Sequence, residues 1–199
     1  MTPSDLEVAN SFALKWRAVR KERRSRLGKE MPVAAVQAAA LHHPHVEMRR
    51  FCLFLLDHYA SDQSSETFRR ALRDPVAAVR EGALHGLACE TCRHEDIGVV
   101  DVVTDLARLL VSDANADVRH KAVAALARFL DRDGRAREII ADVARHDSDA
   151  AVRAVAQSVV DSGQPHIHRR KRALRETRRT ARRAAAAPSA WLSDGRVSH

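Results

Sequence analysis

The chain has 199 residues, 45% of them hydrophobic and 4% aromatic, with 7 glycines and 6 prolines. That length supports one or two domains with a real core, and the mixture rich in Ala, Leu, Val and Arg suits helices and argues against an all-β fold. The formal net charge of +8 is uneven: residues 1–30 carry 8 Lys/Arg against 4 Asp/Glu, residues 165–199 carry 10 against 2, and residues 31–164 carry 16 against 20.

The first residues, MTPSDLEVANSFALKW, are acidic and then amphipathic. No positive segment leads into an apolar run, so no secretory signal is expected. No stretch approaches eighteen apolar residues, so no transmembrane segment is expected either. Ser4-x-x-Glu7 reads as a capping box. Val8, Phe12, Trp16 and Val19 follow at helical spacing, which predicts one helix over 4–27. Its stripe either caps the first of the elements that follow or binds a partner. The run Arg17-Ala-Val-Arg20-Lys21-Glu-Arg23-Arg24-Ser-Arg26 makes this end basic.

A repeat occupies the middle. Residues 74–87 read DPVAAVREGALHGL, 113–126 read DANADVRHKAVAAL and 147–160 read DSDAAVRAVAQSVV, with a weaker copy, HPHVEMRRFCLFLL, at 43–56. Met48, Val79, Val118 and Val152 align, followed by Arg49, Arg80, Arg119 and Arg153. Cys52, Ala83, Ala122 and Ala156 lie four after the first column, and Leu56, Leu87, Leu126 and Val160 eight after it. Offsets of four and eight lie along one helical face, and a small residue in the middle column lets a neighbouring helix come close. The column spacings of 31, 39 and 34 residues suit two-helix repeats. They predict first helices near 32–41, 64–73, 96–112 and 135–146, and second helices near 45–60, 76–89, 115–131 and 149–161. Pro44 and Pro75 are expected in the first turn of their second helices, and Asp74 as a cap.

In these columns the chain resembles the HEAT-repeat family, in particular the short HEAT-like repeats of the phycobilisome-lyase type. The resemblance covers about residues 32–161. It implies an all-α, right-handed α-α superhelix: a solenoid of about four helical hairpins, with an N-terminal capping helix and a basic C-terminal helix. The division expected is 1–31, capping helix and basic linker; 32–164, solenoid; 165–199, arginine-rich helix and tail.

The repeated polar residues have two readings. Asp74, Arg80, Asp113, Arg119, Asp147 and Arg153 either form a ladder of charge-assisted bonds between adjacent repeats that fixes stacking register, or line a ligand site. The ladder is the stronger expectation.

Cys89-Glu-Thr-Cys92-Arg-His94 is the one metal-like cluster, a weak candidate. It supplies three ligands where a structural zinc site wants four, and no second Cys pair follows. Three cysteines make no disulfide framework, and a reducing cytoplasm is the expected compartment. No cofactor is expected. HEAT-like hydroxylases hold iron with repeated His-Glu pairs, but His94-Glu95 is the only such pair here. HEAT-like DNA glycosylases use tryptophans in a basic groove, whereas Trp16 and Trp191 lie in the terminal regions.

The last predicted element is a helix near 168–186, ended by Pro188. Lys171, Arg172, Arg175, Arg178, Arg179, Arg182 and Arg183 gather on one side, with Ala173, Leu174, Thr177, Ala181 and Ala184 opposite. Such a face suits nucleic-acid phosphates, an acidic protein surface (including this chain's own middle) or an anionic membrane, or else it is simply solvated.

The function expected is therefore a non-catalytic scaffold that binds a protein partner. The second candidate is sequence-independent nucleic-acid binding through the basic ends. The third, an enzyme of the lyase or glycosylase type, rests on the family resemblance.

Overall fold

The computed structural model describes residues 2–60, 63–88 and 99–162, with 99–101 described by their backbone only. The described residues are helical, without strands: α1 (Pro3–Ala18), α2 (Lys21–Lys29), α3 (Val33–His42), α4 (Val46–Tyr59), α5 (Ser65–Ala71), α6 (Ala77–Ala88), α7 (Val99–Ser112), α8 (Ala116–Leu126), α9 (Gly134–His146) and α10 (Ala150–Ser162). A single 3-10 turn, Ala127–Phe129, extends α8. No described helix is long and apolar enough to cross a membrane.

Two helices occupy the stretch where the apolar stripe predicts one helix over 4–27. Val19 and Arg20 are extended, and the Val19 N–H closes α1 on the Lys15 carbonyl. The cap is also shifted. Thr2, not Ser4, accepts the Asp5 N–H, while the Asp5 carboxylate accepts from the Thr2 N–H. The buried face of α1 runs through Ala9, Phe12, Ala13 and Trp16, leaving Val8 exposed. α1 packs on α3, and α2 on α4. Their joint is aromatic: Trp16 meets Tyr59 edge-on at 5.0 Å, with the Arg24 guanidinium 5.8 Å from the Trp16 ring.

From α3 onward the helices pack in consecutive pairs, α3 with α4, α5 with α6, α7 with α8 and α9 with α10. The even-numbered helices also pack on one another in succession, α4 on α6, α6 on α8 and α8 on α10. One apolar core runs through them. Cys52, Leu56, Val79, Ala83, Leu87, Val118, Ala122, Leu126, Val152 and Ala156 are all buried in it. These are the residues of the apolar sequence columns, with two exceptions: Met48 is half-buried and Val160 is exposed. Pro44 and Pro75 lie in the turns two residues before their helices, not in the first helical turn. There they shape the approach to the helix and leave His45 and Val76 to precede it.

Short polar residues start the later helices. The Asn115 side chain accepts the N–H groups of Asp117 and Val118, and Asp149 accepts those of Ala151 and Val152. Asp133 accepts the Arg135 N–H at the start of α9. Each satisfies donors that the first helical turn leaves free.

Candidate functional site

The described candidate residues form a chain of arginine–aspartate bridges. Arg49 of α4 binds Asp74 in the α5–α6 turn, with Nε on Oδ2 at 2.7 Å and Nη2 on Oδ1 at 3.1 Å. Arg80 of α6 binds Asp113 in the α7–α8 turn, both bonds at 2.7 Å. Arg119 of α8 binds Asp147 in the α9–α10 turn, both at 2.9 Å. Each bridge spans one helix pair to the next and is bidentate, the geometry in which a guanidinium holds a carboxylate best.

Every member has a second task. Nη1 of Arg49, Arg80 and Arg119 donates to the carbonyl six residues back, that of His43, Asp74 and Asp113 respectively, at 2.8 to 2.9 Å. Each aspartate Oδ1 also accepts the backbone N–H two residues on, from Val76, Asn115 and Asp149. The bridge therefore fixes the turn of its own pair and the turn of the next. Ionisation follows this geometry. At Asp147 the bond from Arg119 holds the carboxyl below the usual carboxylate range. At Asp113 burial pushes upward, but the bonds from Arg80 and the Asn115 N–H outweigh it, and the carboxyl again lies below that range.

The two ends of this series differ. At the first, His43 stands where the other pairs have aspartate. It is buried, its Nδ1 accepts the His45 N–H at 3.0 Å, and its Nε2 lies 3.2 Å from Asn10 Oδ1 on α1. That pairing requires the Nε2–H tautomer. At the other end, Arg153 of α10 keeps the inner half of the pattern, with Nη1 donating to Asp147 O at 2.6 Å and Ser148 O at 3.1 Å. Among the described residues its Nε–Nη2 edge has no carboxylate.

The structure brings forward a second set of residues that the repeat columns do not mark. Phe51, Phe54 and His58 line one side of α4: the two phenyl rings stack at 6.2 Å, His58 lies 4.3 Å from Phe54, and the Arg17 guanidinium sits 5.5 Å from Phe51. Phe54 is exposed. Their offsets of three and seven form a helical stripe in the sequence, but the core columns beside them mask this second face. Next to them, Asp57 is buried with neither carboxylate oxygen hydrogen-bonded; His58 Nδ1 and His85 Nε2 each lie 3.4 Å from Oδ2. The two imidazoles are the polar groups nearest to this buried carboxyl, and a carboxyl buried without a hydrogen bond costs stability. Further along, Lys121 of α8 pairs with Glu81 of α6.

On the other helices, Arg69 of α5 binds the buried Asp105 of α7 at 2.7 Å, and Arg73 and Arg108 approach the same carboxylate at 3.8 and 3.9 Å. Cys52 is buried, which pushes its thiol up to about 12 and leaves it unsuited to nucleophilic or metal-binding roles. The described residues contain no group of three His, Cys, Asp or Glu side chains placed to hold a metal ion. Cys89, Cys92 and His94 lie outside the described residues, as do Lys171, Arg172, Arg175, Arg178, Arg179, Arg182 and Arg183.

Comparison of the chain with protein-family models, with curated proteins and with solved structures finds no match in any of the three.

Proposed function

We propose that the chain is a cytoplasmic, non-catalytic scaffold of HEAT-like repeats, a right-handed α-α superhelix that binds a protein partner without a cofactor. The observation that carries the binding part is the exposed aromatic strip of α4. Phe54 is exposed, its ring stacked on Phe51 and tilted against His58, and the Arg17 guanidinium lies over the Phe51 ring. Aromatic and arginine side chains presented together are the composition of protein-binding hot spots. The repeat reading draws support from the succession of even-numbered helices and from the three alike bridges that join them. A surface held by such bridges is pre-organised, which lowers the entropy cost of docking.

The test is a quantitative affinity isolation with the full chain and its Phe54→Ser variant in parallel. Phe54 is exposed, so the variant should melt with the parent. A partner bound by the parent and depleted about tenfold or more by the substitution is expected; that is about 1.4 kcal/mol, within the range of one hot-spot residue. If the two baits retain the same proteins, the α4 surface is not the binding surface.

A second reading, nucleic-acid binding, draws on α2, whose Lys21, Arg23, Arg26 and Lys29 are all exposed. Few aromatics accompany them, so contact would be to the phosphate backbone and would weaken steeply with salt. Absence of binding to random duplex DNA and to RNA at about 50 mM salt would sink this reading.

A further inference from the structure

We propose that Arg153 is a carboxylate-docking site, and that it receives an aspartate from an acidic protein partner at the α10 end of the bridge series. The inference rests on the reading that this chain binds a protein, and it adds where and through what chemistry.

Three copies of the same site within the chain show what such an arginine takes. Arg49, Arg80 and Arg119 each hold a carboxylate on the Nε–Nη2 edge while Nη1 is anchored to the preceding turn. Arg153 has the same anchor, on Asp147 O and Ser148 O, so its guanidinium is held in the same way relative to its own turn. The rotamer entropy of a long side chain is thus already spent before a ligand arrives. The edge that holds no carboxylate among the described residues is the one that binds carboxylate three times over.

The template also describes the occupant. In every bridge the carboxylate belongs to an aspartate that simultaneously accepts the N–H two residues on, just ahead of a helix. A partner is therefore expected to present an aspartate opening a helix. A second copy of this chain stacked end to end does not fit. Its residue in the aspartate column is His43, which is buried and engaged with Asn10. Charge points the same way. Residues 165–199, which follow α10 in sequence, carry 10 Lys/Arg against 2 Asp/Glu. Carboxylates are scarce there, and an acidic partner is drawn to that end of the chain.

The experiment uses the full chain labelled with 15N-arginine and reads the side-chain Nε–H resonances. The Arg153→Lys variant identifies the Arg153 signal by its disappearance. The probe is a synthetic peptide with the sequence of residues 112–126, whose Asp113 fills the Arg80 bridge, alongside the same peptide carrying Asp113→Asn. A saturable downfield shift of the Arg153 signal with the aspartate peptide is expected, with no comparable shift for the Asn peptide and none for the signals of Arg80 and Arg119. An unmoved Arg153 signal, or an equal response to both peptides, would overturn the proposal. So would an Arg153 signal that already lies with the bridged arginines and moves in Glu176→Gln or Asp194→Asn, which would make the occupant the chain's own. Failure of the Phe54 test leaves this readout standing, because it monitors the Arg153 edge directly.

Discussion

Gly82 and Gly86 lie one helical turn apart on α6 and meet different neighbours. A Cβ at Gly82 would sit 3.5 Å from Leu53, an ordinary contact, whereas one at Gly86 would come within 2.4 Å of the ring of Phe68, itself fully buried. Gly82→Ala should therefore stabilise the protein by about 0.5–1 kcal/mol, the usual gain of Ala over Gly inside a helix. Gly86→Ala should destabilise it by about 1–3 kcal/mol, because an overpacked core must shift an aromatic ring that has nowhere to go. Urea denaturation of the two variants checks the opposite signs. His43 gives a second single-residue expectation. Burial, helped by the charges of His45 and Arg49, holds its imidazole below the usual 6.5. As pH falls through 6.5 the unfolded chain takes up the proton first, so stability falls with pH across that region. His43→Gln should flatten that decline, leaving the contribution of His42, whose imidazole burial also depresses. Urea midpoints at about pH 7 and pH 5 for parent and variant measure it.

Each even-numbered helix from α4 to α8 is joined to the next pair by one bridge, and the contrast between Arg119 and Arg153 isolates what a bridge contributes. Arg119→Ala leaves Asp147 buried without its partner and should cost about 2–4 kcal/mol. Arg153→Ala removes bonds to two turn carbonyls and a through-space attraction to Asp147 that is weaker than the Arg119 bond, and should cost about 1 kcal/mol. Equal losses in thermal melts of the two variants would show that the carboxylate half of the bridge adds nothing. Much of this architecture is legible in the sequence. The repeat columns place second helices at 45–60, 76–89, 115–131 and 149–161, and the described helices α4, α6, α8 and α10 fall inside those limits or within one residue of them. The core columns are legible because one face of each helix repeats every four residues. The break between α1 and α2 is not. Val19 and Arg20 carry no Gly or Pro, and the residues around them favour helix. The break is decided by packing: α1 must reach α3 while α2 brings Gly28 against the ring of Tyr59 on α4. The role of His43 is hidden too, because a histidine in an aspartate column gives no sign of the asparagine on α1 that it will meet.

Across the whole molecule, the repeated carboxylates tie folding to acid. Asp113 and Asp147 both lie below the ordinary carboxylate value of 3.8 when folded. Their contribution is therefore complete above that value and is lost as pH falls through the lower, folded-state value. Asp147→Asn should lower stability at neutral pH and shrink the further loss on acidification, a pair of effects that circular dichroism during an acid titration would separate from a general weakening. The bridges are largely buried, so moderate salt should change stability much less than acid does.

The unequal ends of the bridge series give the molecule a direction. Beyond α3 stands α1, with Asn10 closing the histidine that begins the series; on α10, Arg153 stands with half its pattern unmade among the described residues. Fraying is then expected to start at α10 and travel toward α4, so amide hydrogen exchange should be fastest in α10 and progressively slower in α8 and α6. A ligand on Arg153 would slow exchange in helices it never touches, and the distance over which that protection fades would measure how cooperatively the helix pairs open.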